Sequence, residues 1–302
     1  MKEKISIITT FYNCEKYILK CIQSVCYQNF NDSFYVEYIL VDDHSTDNTR
    51  EIIESFFKEY DFPKNFEYKI IKPLHNLGCG GARKFGINNA TGDYFMFLDG
   101  DDYYLNNDFI NRAYNIIKKY NADIVEFGFQ RYNKQINKMT YRIADSFIIL
   151  ENDPYKKMYY LCNLHILNYM VWTKIVKRSI VESRPYDESR QYEDIKTTPY
   201  WIYNANRIII NPSIEINYRN TDESIINDNQ LIYATNLVTA VSELFEFFKF
   251  DINILKTIYI SVINEIRFVL LNYNSNNEYF NKMNEANTKM LNYIYEDKLK
   301  KN

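Results

Sequence analysis

Short apolar runs alternate with amphipathic segments along the first 130 residues of the chain. The runs are rich in β-branched and aromatic residues and predict buried strands at 5–9, 36–41, 66–71, 94–98 and 124–127. Apolar stripes at helical spacing predict helices at 18–25, 52–57, 82–89 and 109–120. Alternating strands and helices favour an α/β fold with a mostly parallel sheet that helices cover on both faces.

The regular alternation stops at about residue 132. A tyrosine-rich mixed region extends from there to about residue 225, and a helical pattern follows over residues 230–295. Neither an internal repeat nor a low-complexity linker separates these stretches, so we expect them to pack together. The sequence thus predicts three parts, at residues 1–130, 131–225 and 226–302, the last a mainly helical C-terminal extension.

Polar clusters follow three of the predicted strands, at residues 10–13, 42–47 and 99–102. Within them, Asn13 is expected to cap the first helix and Thr46 or Asp47 the second. In open α/β sheets the ligand binds outside the carboxyl ends of the strands. Three clusters on one predicted edge therefore indicate a ligand site there.

The run Asp99-Gly100-Asp101-Asp102 places three carboxylates directly after a strand. Crowded carboxylates repel one another, so such a run commonly has a cation partner. Oxygen ligands suit Mg²⁺ or Mn²⁺, which often share their coordination with substrate phosphates. The alternative is an Asp-Gly turn with solvated side chains.

Six of the seven glycines fall between positions 78 and 100. Glycine lets the backbone approach a partner closely, so this window favours a loop that lies against a ligand over a series of tight turns. Arg83 follows the loop and faces either a diphosphate or a surface carboxylate. The glycine spacing fits neither a P-loop nor a dinucleotide fingerprint.

Two acidic pairs complete the candidate chemistry. Asp42 and Asp43 follow a strand, and either side chain suits a hydrogen bond from a base or ribose, or a helix-capping role. Glu193 and Asp194 lie in the second region. Because acidic pairs are common on protein surfaces, the residues alone favour a solvated pair here, and a general base held near the first site is the alternative.

The composition and net charge of the chain exclude or disfavour several classes of protein. The chain has 302 residues, 46% of them hydrophobic, and a formal net charge of −3, which together fit a globular protein and disfavour nucleic-acid binding. An odd number of cysteines, five, with no metal-like spacing predicts reduced thiols in a cytoplasm. The N-terminus lacks a secretory pattern, and charges interrupt the most apolar stretch, residues 254–271, so no membrane span is expected.

Four segments, in this order and spacing, resemble glycosyltransferase family 2. They are ISIITTFYN at 5–13, VDDHSTDNT at 41–49, NLGCGGAR at 76–83 and FLDGDD at 97–102. A weaker similarity continues through residues 171–178, Glu193-Asp194 and Tyr218-Arg219, and resembles bacterial members that build capsule, lipopolysaccharide or other surface glycans. The resemblance implies a GT-A fold and an inverting enzyme that uses a nucleotide-sugar donor, with UDP favoured.

The resemblance also implies roles for individual residues. Thr10, Tyr12 and Asp43 match positions that hold the uracil end of the donor, with Asp42 beside them. Arg83 matches an arginine near the nucleotide, and Asp99, followed by Gly100, matches the carboxylate that faces the ribose. Asp101 and Asp102 match the region that binds Mn²⁺ or Mg²⁺. Asp194 matches the general base, with Glu193 as its neighbour.

Residues 1–130 are then the donor-binding half of the GT-A domain and residues 131–225 the acceptor-binding half. Two departures from the family pattern are His44, where glycine is common, and Lys84, where asparagine is common. The expected acceptor is a hydroxyl group of a glycan or a lipid-linked glycan. The expected location is the cytoplasm, and the C-terminal helices leave open a contact with the inner membrane face or a homodimer.

Two other functions stay open at this point. A catalytically silent protein on the same fold would bind carbohydrate or nucleotide without transferring a sugar, although the complete carboxylate set disfavours it. A sugar nucleotidyltransferase would carry a glycine-rich basic loop after its first strand. The chain has Thr10-Phe11-Tyr12-Asn13 there, which ranks that alternative lower.

Overall fold

The computed structural model describes residues 2–133, 138–142, 144–162, 164, 166–184, 186–188, 192–219, 240, 243–248, 251–259 and isolated positions beyond 280. Its strands are β1 Glu3–Phe11, β2 Phe34–Asp42, β3 Phe66–Ile71, β4 Tyr94–Asp99, β5 Tyr103–Tyr104, β6 Ile124–Asn133, β7 Lys138–Arg142, β8 Ile148–Leu150, β9 Lys174–Lys177 and β10 Ile208–Arg219. Its helices are α1 Ile18–Cys26, α2 Thr49–Glu59, α3 Gly78–Asn88, α4 Phe109–Lys119, α5 Pro154–Cys162, α6 Arg178–Ser183 and α7 Glu193–Asn204, with a 3₁₀ turn at Val171–Thr173.

One sheet runs through the described part of the chain in the order β3-β2-β1-β4-β9-β6-β10-β5, with β7 beside β6 and β8 beside β10. β3, β2, β1 and β4 are parallel, as their alternation with helices predicts. β9 is antiparallel to both β4 and β6, so the sheet as a whole is mixed. The predicted α/β class is confirmed. Parallel pairing holds β3, β2, β1 and β4 together and recurs between β6 and β10, and the antiparallel β9 separates the two parallel groups.

The five predicted strands are all present, and several helix starts differ from prediction. Asn13 does not cap α1, because it adopts a left-handed backbone with φ 51° and its side chain accepts the N–H of Thr46. Neither Thr46 nor Asp47 is the N-cap of α2, which is Asn48 without a side-chain capping bond; Asp47 instead accepts the N–H of Thr49, the first helical residue. α3 begins at Gly78, so the predicted glycine loop is largely the first turn of a helix.

Two glycines of that window allow close packing of protein against protein. A Cβ at Gly86 would lie 2.6 Å from Ile8 Cγ2, because α3 rests directly on β1 and β2. A Cβ at Gly92 would lie 2.5 Å from Ser6 Oγ. For these two positions the expectation of a ligand against the backbone is wrong, since the sheet itself occupies the space.

The core lies on both faces of the sheet. β1, β2 and β4 are buried along almost their whole length, which explains their continuous apolar runs. Of the predicted C-terminal extension, residues 243–248 and 252–259 are helical, and Phe247 packs edge-on to Tyr200 of α7 at 4.3 Å between ring centroids. Most of 226–302 lies outside the described residues. Among the described helices, none has the length and apolarity needed to cross a bilayer.

Candidate active site

The structure brings the three predicted polar clusters together at one edge of the sheet. Thr10, near the end of β1, lies in register between Val41 of β2 and Asp99 of β4. The N–H of Gly100 donates to the Thr10 carbonyl at 3.0 Å. A Cβ at Gly100 would lie 2.7 Å from the Cβ of Phe11, so glycine is required for this close approach.

The loops after β1 and β2 are tied to each other by hydrogen bonds. The N–H of Asn13 donates to Ser45 Oγ, and the N–H of Ser45 donates to Asp42 Oδ1 at 2.7 Å. Asp42 is fully buried. Its Oδ2 lies 3.6 Å from Nη1 of Arg50 and 3.7 Å from Nζ of Lys72. Asp42 therefore supports the loop, and its contact with a donor stays a prediction.

Asp43 and His44 anchor the segment that leads into α3. The two carboxylate oxygens of Asp43 accept the N–H groups of Leu77 and Gly78 at 2.7 and 2.8 Å. His44 has a left-handed backbone with φ 71°, and its Nε2 lies 2.9 Å from the carbonyl oxygen of Pro73. That conformation is the physical reason why glycine suits this position, and the histidine adds a contact that glycine lacks.

Tyr12 and Lys84 are the more open of the predicted positions. Tyr12 is half exposed at the end of β1, where its ring is accessible to a ligand. Lys84 forms an ion pair with Glu188 on the surface, so this departure from the family pattern lies in an external contact.

The acidic run after β4 has features of a cation site. Burial and the neighbouring carboxylate of Asp99 raise the pKa of Asp101 to about 6. Asp102 is buried; its Oδ1 accepts the N–H of Arg219 at 2.8 Å, while Oδ2 has no hydrogen-bond partner among the described residues. Burial and Asp101 raise the pKa of Asp102 well above its usual range. A bound cation would satisfy Oδ2 and stabilise both carboxylates in their charged forms.

Within the described ranges, no cluster of three or more His, Cys, Asp or Glu side chains forms a complete metal site. Asp101 and Asp102 would contribute two carboxylates. Mg²⁺ sites that include substrate phosphates commonly use only one or two carboxylates of the protein. The residues present therefore fit a metal that the donor helps to bind.

Arg83 lies at the centre of a group that we call the Arg83 cluster, formed by Arg83, Asp99, Tyr186, Glu193 and Asp194. Its Nη2 lies 2.6 Å from Asp99 Oδ1, and its Nη1 contacts Glu193 Oε1 and lies 3.4 Å from Asp194 Oδ1. The side chain is almost fully buried. Contact between Arg83 and a diphosphate stays a prediction, and it would require these ion pairs to open.

Glu193 and Asp194 form the first turn of α7, directly after Tyr192 with its left-handed φ of 59°. Burial raises the pKa of both side chains, and repulsion from Asp194 raises that of Glu193 further. The positive charge of Arg83 lowers both pKa values. The interpretation that the residues alone favoured, a solvated surface pair, is wrong, because Glu193 is buried and Asp194 is mostly buried. The packing of α7 places the acidic pair beside the end of β4, whose residues lie about a hundred positions earlier in the chain.

Sequence reasoning gave no role to two residues that belong to this site. Tyr186 donates its hydroxyl hydrogen to Asp194 Oδ1 at 2.5 Å. The guanidinium of Arg219 lies over the rings of Tyr17 and Tyr103, at 5.1 and 4.8 Å. Its buried Nη1 makes no hydrogen bond to any residue that the structure describes. No local pattern marks Tyr186, and only the weak family similarity at 218–219 points to Arg219.

Residues 6–184, more than half of the chain, match the family described as Glycosyl transferase family 2. The protein therefore belongs to this family, as the sequence motifs predict. The fold also matches: TarS from Staphylococcus aureus in complex with UDP-GlcNAc superposes with a TM-score of 0.73 at 19% identity, over 97% of this chain and 82% of that one. The predicted GT-A class is thus confirmed.

Two curated relatives come from Streptococcus pneumoniae serotype 4. Glycosyltransferase GlyG is 24% identical over 285 residues, which are 90% of this chain and 87% of GlyG. Glycosyltransferase GlyA is 29% identical over 204 residues, which are 64% of this chain but only 27% of GlyA. The similarity to GlyG thus extends over nearly the whole of both chains, whereas this chain corresponds to about a quarter of GlyA.

Proposed function

We propose that this protein is an inverting glycosyltransferase that moves a sugar from a UDP-sugar to a hydroxyl group of a bacterial surface glycan or its lipid-linked precursor. The observation that carries the proposal is the Arg83 cluster, in which one guanidinium binds both Asp99 at the donor edge and Asp194 on α7. An inverting enzyme needs a base on the face opposite the leaving group, and this arrangement brings a carboxylate from a second element to the donor edge.

The donor would bind across the ends of β1, β2 and β4. Tyr12 offers an exposed ring to the uracil, beside Thr10 and Asp43. The carboxylate of Asp99 remains about a quarter exposed while it pairs with Arg83, and so is accessible to a ribose hydroxyl. The complex of TarS with UDP-GlcNAc supports a UDP donor for a protein of this fold.

Asp101 and Asp102 would hold Mn²⁺ or Mg²⁺. When bound, the ion supplies positive charge that stabilises the diphosphate leaving group. Arg219 would support the same end of the donor, because its Nη1 makes no hydrogen bond to a described residue and its guanidinium lies over two tyrosine rings. An arginine fixed in this way suits a phosphate oxygen.

Asp194 would accept the proton of the acceptor hydroxyl. The hydroxyl oxygen then forms a bond to the anomeric carbon as the bond to the β-phosphate oxygen breaks, and UDP leaves with the electron pair. A carboxylate whose pKa burial has raised is a stronger base at neutral pH than a solvated one. Attack from the face opposite UDP inverts the anomeric configuration.

The acceptor class comes from the relatives. TarS is described as a poly(ribitol-phosphate) beta-N-acetylglucosaminyltransferase and is 26% identical over 77% of this chain. A polymer of the cell surface is therefore the acceptor class that we propose. The cytoplasmic location, the contact with the inner membrane face and the homodimer all stay predictions.

The test is a thermal-shift screen with UDP, GDP, dTDP and CMP, each with Mn²⁺ or with EDTA. A ligand that binds only the folded protein raises the melting temperature, so we expect a shift with UDP that EDTA reduces. Asp101→Asn should remove the part of the shift that depends on Mn²⁺. Absence of a shift with every nucleotide would contradict the donor assignment, and would favour a protein that binds glycans without transferring sugar.

A further inference from the structure

Tyr186 is a buried tyrosine whose hydroxyl lies inside the Arg83 cluster. The hydroxyl donates to Asp194 Oδ1 at 2.5 Å and accepts a hydrogen bond from Arg83 Nη1 at 3.2 Å. Its side chain is almost completely buried. A chain of two hydrogen bonds therefore runs from the guanidinium through the phenol to the carboxylate, beside the direct contact between Arg83 and Asp194.

The ring of Tyr186 packs against two aromatic rings that also contact each other, with 6.2 Å between the centroids of Phe97 and Trp201. Phe97 of β4 lies at 6.2 Å and Trp201 of α7 at 5.8 Å between ring centroids. Trp201 is itself fixed, because its Nε1 donates to the Arg184 carbonyl at 3.2 Å. The N–H of Asp187, the next residue after Tyr186, donates to Thr197 Oγ1 at 3.0 Å. The hydroxyl is thus held in place with respect to both β4 and α7.

Two described side chains, Tyr186 and Arg83, donate hydrogen bonds to the carboxylate of Asp194. Both bonds end on the same oxygen, Oδ1. A carboxylate oxygen that accepts two such bonds is held in place, which also sets the direction of the second oxygen. The side chain keeps 17% of its surface exposed, so the carboxylate is not sealed from solvent.

We propose that Tyr186 is a positioning residue that, together with Arg83, holds Oδ1 of Asp194 so that Oδ2 receives the acceptor proton. The inference rests on the proposed role of Asp194 as the base and names a residue that orients it. Tyr186 acts through Asp194 and does not itself touch the substrates.

The same hydrogen bond has an electrostatic consequence. Burial raises the pKa of Asp194, and so does repulsion from the carboxylate of Asp99; the adjacent Glu193 carries a like charge. Arg83, Tyr186 and Lys174 favour the charged form of Asp194 and lower its pKa. Removing the phenol hydroxyl takes away one stabilising contact of the carboxylate. The pKa of Asp194 should then rise, and the acid limb of the rate profile should move to higher pH.

The decisive variant is Tyr186→Phe, which keeps the buried ring and removes only the hydroxyl. We expect the acid limb of kcat/KM to move up by about one pH unit, because hydrogen bonds to charged groups contribute on that scale. The plateau kcat should fall by about tenfold as the carboxylate loses its fixed orientation. The KM for the UDP-sugar should stay within about twofold, since Tyr186 does not contact the donor.

Tyr104→Phe is the matched control. Tyr104 is equally buried, and its hydroxyl has no hydrogen-bond partner in the described part of the chain. Its removal should leave both the acid limb and the plateau at wild-type values. Melting temperatures of the two variants would show that each is folded. If Tyr186→Phe is not folded, Arg83→Lys serves instead, because an ammonium lacks the planar fork that reaches two acceptors.

A folded Tyr186→Phe enzyme with a wild-type acid limb and plateau would overturn the inference. That result would leave the proposed function intact as long as Asp194→Asn abolishes transfer. Wild-type protein that transfers no sugar, or an active Asp194→Asn variant, would instead contradict the proposed function, and the inference would fail with it because the base would be absent.

Discussion

Two buried charge clusters differ in how their charges are balanced: one lies between two strands of the sheet, and the other lies where α3 and α7 meet the end of β4. Lys174 of β9 pairs with Glu126 of β6 at 2.8 Å, one charge against one, and both side chains are inaccessible to solvent. Asn168 donates to Glu126, and Lys174 also donates to two backbone carbonyls and a hydroxyl. The Arg83 cluster instead sets one guanidinium against three carboxylates, two of which remain partly exposed.

The difference is what we expect between a structural ion pair and the proposed active-site cluster. The Lys174 pair is neutral as a unit, with its lysine fully hydrogen-bonded, and it links two neighbouring antiparallel strands. The Arg83 cluster carries excess negative charge at the strand ends, where burial and mutual repulsion raise carboxylate pKa values. A fold has little reason to keep such an imbalance for stability alone. Buried carboxylates that outnumber their cationic partners at a sheet edge therefore indicate the candidate site more clearly than burial alone does.

The largest expected effect is the loss of the proposed base. Asp194→Asn should lower kcat by about a hundred- to ten-thousand-fold, since the amide cannot accept the acceptor proton. Its melting temperature should be retained, because the change removes one of three crowded charges. UDP release with a UDP-sugar and a surface-glycan acceptor measures the rate. The exposed Glu182→Gln is the control and should keep wild-type turnover; near-normal turnover of Asp194→Asn would contradict the assignment.

Breaking the balanced pair should affect stability most. Lys174→Met leaves Glu126 buried without its cation, so the free energy of unfolding should fall by about 3–5 kcal/mol. Lys177→Met, on the same strand, removes a partly exposed lysine that lies 3.6 Å from Asp123 and should cost about 1 kcal/mol or less, because backbone N–H groups still satisfy that carboxylate. Urea unfolding measures both. Equal losses for the two variants would mean that the Lys174 pair is not the structural link we describe.

The smallest expected effect is a dependence of stability on pH, to which the unbalanced cluster should contribute through Glu193. Burial and Asp194 raise the pKa of Glu193 to about 7, from an unfolded value near 4.5. Between those values the folded state binds more protons, so stability is greater at the acid end and falls as pH rises. The slope from one such group is at most about 1.4 kcal/mol per pH unit.

Urea unfolding at pH 5.5, 6.5 and 7.5, without nucleotide or metal, measures that slope. Glu193→Gln should reduce it, whereas Glu182→Gln should leave it unchanged. Other buried carboxylates with raised pKa values contribute slopes of the same sign in both variants, namely Asp101, Asp102, Glu126 and Asp194. A slope in Glu193→Gln as steep as in the wild type would show that the excess charge is not located at Glu193.

The first half of the molecule could largely be predicted from the amino-acid sequence. β1 to β4 each carry their own apolar run, and Asp43, Asp99 and Asp101 follow strand ends, where a parallel sheet gathers them at one edge. These features are local: each depends on a strand and the few residues after it. The family motifs lie in the same stretch for the same reason.

The part of the candidate site that comes from the second half of the chain, Asp194 and Tyr186, is assembled only by tertiary structure. β9 is only four residues long and inserts between β4 and β6, and α7 carries Asp194 back to Arg83 across 111 positions of sequence. Tyr186 has a role only because α7 and β4 meet around its ring. Only the weaker family similarity at Glu193-Asp194 pointed to the acidic pair, and no local pattern encodes contacts at such separation, since the same pair or tyrosine would serve equally on a surface. Packing of the elements against the sheet decides which of them enters the site.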